Sequence, residues 1–190
     1  MASPANIANQ LAAAREGGLL PVFRRAARRW KVPLEVLLAV ASRETGMGTD
    51  RYYRNNGFTG RDGHGKGIMQ IDDRYHHFAT ITAPNDHEQM IQYGARFLSE
   101  LRDRFGSIKE ALSAYNAGPD AVYTARVRGI DPDFYTTGGD YSRDVLARAE
   151  MIKKELSLGL DKAQSLIPAM LVLMGGMGYL YSQIVSTNQG

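Results

Sequence analysis

Glu44 is the residue whose type and position most constrain the chemistry of this chain. It lies seven residues after Leu37 and three after Ala41, where Leu34, Leu37, Leu38 and Ala41 recur at i, i+3, i+4 and i+7. Helical geometry therefore puts its carboxyl on the apolar face, in the last turn before Gly46. Ionising a carboxyl there is costly, so desolvation raises its pKa and keeps its proton available near neutral pH. An acid of that kind can protonate a leaving glycosidic oxygen. The same position also suits a structural glutamate paired with Arg43 or another arginine at a helix end.

The elements that must position Glu44 read as helical almost throughout. Ala12, Ala13 and Leu20 belong to a weakly amphipathic start, and Pro21 can open a helix whose outer face carries Arg24, Arg25, Arg28 and Arg29. Pro33 suits the first turn of the Glu44 helix, where its missing N–H costs nothing, and Gly46 and Gly48 end that helix. Residues 49–67, rich in Gly, Asn, Asp and Arg, read as a loop or short hairpin region, and 67–72 as a short strand or turn. Asn85 or Asp86 can cap a long helix running to Phe105, and Gly106 stops it. Ser107 and Glu110 form a capping-box pattern for the next helix, which Gly118-Pro119 breaks. A further helix is expected from about Asp140 to Leu156.

A chain of 190 residues with 44% hydrophobic and 23% charged residues can bury a sizeable core. Its formal charge of +3 favours anionic surroundings without choosing among cell wall, lipid head groups and nucleic acid. The absence of cysteine excludes disulfides and thiolate metal sites. Histidines 64, 76, 77 and 87 lack the i, i+4 spacing of a zinc helix, so neither metal nor cofactor is expected. The arginine run at 24–29 has no interleaved stacking aromatics; it reads as a solvated helix face, and no nucleic-acid partner is expected.

Four short words surround these residues. Ala41-Ser42-Arg43-Glu44-Thr45-Gly46, Gly67-Ile68-Met69-Gln70-Ile71-Asp72, Ala114-Tyr115-Asn116-Ala117-Gly118 and Tyr141 ahead of Val145 and Leu146 follow one another along the chain. Together they resemble the motifs of goose-type lysozymes and soluble lytic transglycosylases, over roughly Val32 to Lys154. The resemblance implies an all-α, mainly helical lysozyme-like fold with a small loop or hairpin region; a C-terminal apolar helix is expected beyond the residues it covers, from composition alone. It implies that Glu44 is the catalytic acid, and that Met69, Gln70, Tyr115, Asn116 and Tyr141 bind a sugar chain. A tyrosine offers a ring face and a hydroxyl, the two amides can donate and accept at hydroxyl and acetamido groups, and a methionine gives an adaptable apolar wall.

The resemblance also bears on the nucleophile. An inverting hydrolase needs a second carboxylate about 6.5–9.5 Å from the acid, across the sugar. Asp62 and Asp72 sit where goose-type lysozymes place aspartates, one in the Gly-rich loop and one directly after the Met-Gln segment. That favours hydrolysis of the β-1,4 bond between MurNAc and GlcNAc in peptidoglycan, with net inversion. The alternatives are a lytic transglycosylase, which releases 1,6-anhydro-MurNAc and needs no such base, and a non-catalytic protein that keeps a glycan-binding groove.

The ends read differently. Residues 1–18 lack the basic start and apolar run of a secretory signal, and 1–31 reads as an N-terminal helical extension of a 32–158 catalytic domain. From Ala163 to Gly190 no residue is charged, and 159–190 reads as a hydrophobic segment whose residues 166–185 are long enough to span a bilayer. The other reading is an apolar helix buried in protein. With no visible export signal, the expected setting is a bacteriophage virion or a host cell envelope, with membrane, virion or oligomer contacts through the tail.

Overall fold

The computed structural model describes residues 2–159. The expected apolar tail, with its proposed span at 166–185, lies outside the described residues. Among the described residues no helix is long and apolar enough to cross a membrane. Met1–Ile152 form one compact unit; of a second, Lys153–Gly190, residues 153–159 are helical.

The chain folds as α1 (Pro4–Glu16), α2 (Leu19–Trp30), α3 (Leu34–Thr45), α4 (Arg51–Asn55), a two-stranded hairpin, α5 (His77–Ile81), α6 (His87–Phe105), α7 (Ile108–Ala117), α8 (Pro119–Arg128) and α9 (residues 141–159). This is the expected mainly helical fold. Ser3 starts α1 by accepting from the Asn6 N–H, with Pro4 in the first turn. The helix then buries Ile7, Leu11 and Ala14. In α2, Leu20, Val22, Phe23, Ala26 and Ala27 face inward while Arg24, Arg25, Arg28 and Arg29 stay exposed. The two helices read as an extension thus share the compact unit of the remaining elements.

The centre of that unit is α3. Every residue from Val36 to Ser42 is buried, so the helix is enclosed all round and not along a single stripe. Its end is set by Gly46 in the left-handed conformation at φ 59°, donating its N–H back to the Ala41 and Ser42 carbonyls. The loop that follows is more ordered than a run of Gly, Asn and Asp suggests. Asp50 accepts from the Tyr52 N–H to start α4, and Thr59 bridges to Lys66. Strands β1 (Gly65–Lys66) and β2 (Ile71–Asp72) pair antiparallel, Gly65 opposite Asp72 and Lys66 opposite Ile71.

The later helices begin where local chemistry dictates. Asp86 caps α6 at the Gln89 N–H, and Ser107 caps α7 at the Glu110 N–H. Gly118-Pro119 ends α7 and starts α8 at once, because proline suits a first turn. The start of α9 is held by Asp133, a fully buried carboxylate accepting from Ser113 Oγ (2.9 Å), Ser142 N (2.9 Å), Ser142 Oγ (2.8 Å) and Arg143 N (3.1 Å). A negative charge at a helix N-terminus, with its lone pairs satisfied, is a favourable way to bury an acid.

Candidate active site

Because α3 is enclosed, its last turn delivers Glu44 to the floor of a cavity of about 740 Å3. Burial pushes the Glu44 carboxyl up from 4.5 to about 7, against the opposing pull of the Tyr141 hydroxyl bonded to it and of the Arg43 charge. Tyr141, in the first turn of α9, donates to Oε1 of Glu44. Arg43 does not pair with its neighbour. It turns towards α9, reaching Asp144 at 3.0 Å, Asp140 at 3.2 Å and the Thr137 carbonyl at 3.4 Å. Glu44 is thus the desolvated acid and not half of a helix-end ion pair.

The cavity walls come from two short segments. One is the loop and hairpin, contributing Asp62, Gly65, Gln70, Asp72, Arg74, Tyr75 and His76. The other runs from the end of α7 into α8, with Tyr115, Asn116, Gly118 and Pro119, and Phe97 joins them from α6. The turn at residues 67–70 is fixed from both sides. Thr45, fully buried, donates its hydroxyl to the Ile68 carbonyl at 2.9 Å, and Tyr115 donates its phenol to the Met69 carbonyl at 2.8 Å. The residue next to the acid and the aromatic of the third word therefore grip the backbone of the second.

That turn explains two glycines. A Cβ on Gly67, at φ +74°, would lie 2.4 Å from Cγ of Met90, and one on Gly65 would lie 2.5 Å from Oε1 of Gln70. Gln70 itself takes φ 48° and donates Nε2 to the carbonyls of Gly67 (2.8 Å) and Phe58 (3.3 Å). Its side chain thus braces the hairpin while still facing the cavity. Asn116 accepts from the Thr137 N–H through Oδ1 at 2.7 Å, and its Nδ2 has no acceptor among the described residues.

Asp62 and Asp72 line the same cavity as Glu44, and one side chain joins them. Arg74 approaches Asp72 Oδ2 at 2.6 Å and Asp62 Oδ2 at 3.5 Å. Hydrogen bonding from Arg74 pulls the Asp72 carboxyl below its ordinary range, and the His64 backbone N–H does the same first for Asp62. The cavity therefore holds one acid whose proton affinity is raised towards neutral pH and two carboxylates whose proton affinity is lowered, a separation set by environment.

Met69 and Tyr141 are placed elsewhere than on the wall. Met69 is fully buried, its side chain packed close against Gly94 of α6, and only its carbonyl serves the site, as acceptor for Tyr115. Tyr141 is 1% exposed and stands behind Glu44, touching the acid without lining the cavity. Sequence reasoning missed Arg74, His76 and Phe97. Arg74 had a usable signal, lying two residues beyond Asp72, whereas Phe97 is brought in from a distant helix and had none.

Among the described residues, His64, Asp72 and Asp73 form a group whose ligand atoms all lie within 4.8 Å of one another. Each already has a partner. His64 Nδ1 is 2.8 Å from Asp73, Lys66 Nζ is 3.3 Å from Asp73, and Arg74 holds Asp72. Two cationic side chains in such a group oppose a further cation.

The sequence family described as Lysozyme g matches residues 19–155. Among curated proteins, Lysozyme g of Gallus gallus is 34% identical over 132 residues, which cover 63% of this chain and 56% of that protein. Lysozyme g of Struthio camelus is 29% identical over 143 residues, 70% of this chain and 65% of the relative. Lysozyme g of Cyprinus carpio is 31% identical over 135 residues, 66% of this chain and 67% of the relative. The chain thus spans between about half and two thirds of the length of these relatives.

Proposed function

The chain belongs to the lysozyme g family, and on that premise we propose that it is a peptidoglycan-cleaving muramidase acting on the β-1,4 bond between MurNAc and GlcNAc. The observation that carries this reading is the Glu44 carboxyl, held at about 7 on the floor of a glycan-sized cavity. At neutral pH a large fraction of it carries a proton to give to the glycosidic oxygen as the bond breaks. Tyr141 then stabilises the carboxylate that remains, so the proton is held without being locked in.

Asp62 and Asp72 remain ionised in the same cavity. Their charge stabilises the positive charge that develops on the sugar ring, and they can orient a water for attack from the face opposite the leaving group, with inversion at the anomeric carbon. Gln70, Tyr115 and Asn116 supply polar and aromatic surface for the sugar chain. A second reading keeps Glu44 as the acid but closes a 1,6-anhydro ring with the substrate's own hydroxyl. What favours it is the grip of Arg74 on both Asp72 oxygens, which makes that carboxylate a weak base. Release of soluble glycan fragments from purified peptidoglycan, by the full chain and by its Glu44→Gln variant, tests the shared part. Cleavage by the first and none by the second is expected; equal cleavage by both removes Glu44 from the chemistry.

A further inference from the structure

Of the large hydrophobic side chains that stand exposed among the described residues, Tyr75 alone also lines the cavity, and it is 79% exposed. An aromatic ring left in water at the edge of a binding site is an unspent source of binding energy, because a ligand that covers it removes apolar surface from water. The backbone that carries the ring is also fixed. Tyr75 lies in the turn after β2, where its N–H meets the Asp72 carbonyl at 3.3 Å and the His76 N–H meets the same carbonyl at 3.0 Å. The Arg74 guanidinium lies 5.7 Å from the ring centroid and is itself fastened to Asp72 at 2.6 Å. A ring backed by a fixed cation loses little further freedom when something stacks on it.

We propose that Tyr75 is a stacking platform for a pyranose ring of the glycan strand, at the cavity's edge and beyond the sugars that flank the cleaved bond. The inference rests on the muramidase reading for its ligand class. Pyranose rings present a face of C–H groups, which suits an aromatic ring, while hydroxyls at the rim stay in water. The contact selects for chains long enough to reach from the Glu44 floor to Tyr75. Binding energy gathered there holds the strand across the site, so a short fragment that ends before Tyr75 binds more weakly.

The test is calorimetric binding of GlcNAc oligosaccharides to full-length protein carrying Glu44→Gln, so that ligand is not consumed. Adding Tyr75→Ala should raise Kd for a β-1,4-linked GlcNAc hexasaccharide about tenfold, whereas Tyr75→Phe should change it by about twofold or less. Kd for the disaccharide should not move. In the active protein the same Tyr75→Ala change should raise KM on long glycans and spare kcat. An unchanged hexasaccharide Kd in the alanine variant, an equal loss in the phenylalanine variant, or no hexasaccharide binding with Tyr75 intact would overturn the assignment. Hexasaccharide binding that depends on Tyr75, in a protein that releases no soluble fragments from peptidoglycan, would instead remove the muramidase reading and leave the platform standing.

Discussion

Tyr141 donates its hydroxyl to the carboxyl of Glu44 from a position 97 residues further along the chain. The bond works against the burial that raises the acid, and the balance leaves Glu44 at about 7. Removing the hydroxyl removes a lowering influence, so the Glu44 pKa should rise. Tyr141→Phe should therefore move the alkaline limb of the kcat/KM profile to higher pH. A pH–rate profile of both proteins checks this; an alkaline limb that stays put or moves down would show that the bond does not tune the acid.

The same shift links the acid to stability. The folded Glu44 binds its proton more tightly than an unfolded one at 4.5, so the folded state is favoured most below that value and loses stability as pH rises towards about 7. Glu44→Gln removes the titrating group. The variant should match the parent in acid and exceed it above pH 7, by an amount on the order of 3 kcal/mol before solvent screening is counted. Urea unfolding across this range measures the difference.

Arg74 should set the acidic limb. It is the first cause of the lowered Asp72 pKa and it also faces Asp62. Arg74→Leu lets both carboxylates take protons at higher pH, so activity should begin to fall at a higher pH on the acid side while the alkaline limb stays with Glu44. A profile shifted only on its alkaline side would contradict this.

Two contacts to the 67–70 turn should matter for both stability and binding. Thr45→Val removes the donor to the Ile68 carbonyl, and Tyr115→Phe removes the donor to the Met69 carbonyl. Each leaves a partly or wholly buried carbonyl unpaired and should cost about 1–3 kcal/mol. Thermal denaturation reads the cost, and a raised KM for glycan reports the loosened wall.

Asp133 should be the most sensitive acid outside the cavity. Its four bonds tie α7 to the first turn of α9, the helix that brings Tyr141 to Glu44. Asp133→Ala leaves those donors unpaired and should cost about 3 kcal/mol, a fall in Tm of roughly 6–12 °C. A melting curve unchanged within a degree would remove this account of how α9 is set.

How far the site could be read beforehand depended on whether its causes were local. Glu44 was legible because helical periodicity and a left-handed glycine fix its place within a dozen residues. The caps at Asp86 and Ser107 were legible for the same reason, since a side chain that meets the N–H three residues on writes its rule into the sequence. The roles of Met69 and Tyr141 depended on tertiary packing. Whether a methionine beside a glutamine faces the cavity or Gly94 is decided by the approach of α6, which no spacing records. Likewise the burial of α3 on every side follows from what packs around it, and its apolar stripe revealed only one face. Arg74 lay in view beside Asp72, but that it reaches Asp62 as well required the hairpin to close.

The most direct test of the account is a digestion of purified peptidoglycan by the full chain in oxygen-labelled water, with the Glu44→Gln variant beside it and the products read by mass spectrometry. The account predicts fragments ending in reducing MurNAc that carry the label, and none from the variant. Unlabelled 1,6-anhydro-MurNAc ends would contradict hydrolysis and leave Asp62 and Asp72 without a water to orient, and labelled fragments from the variant would contradict Glu44 as the acid.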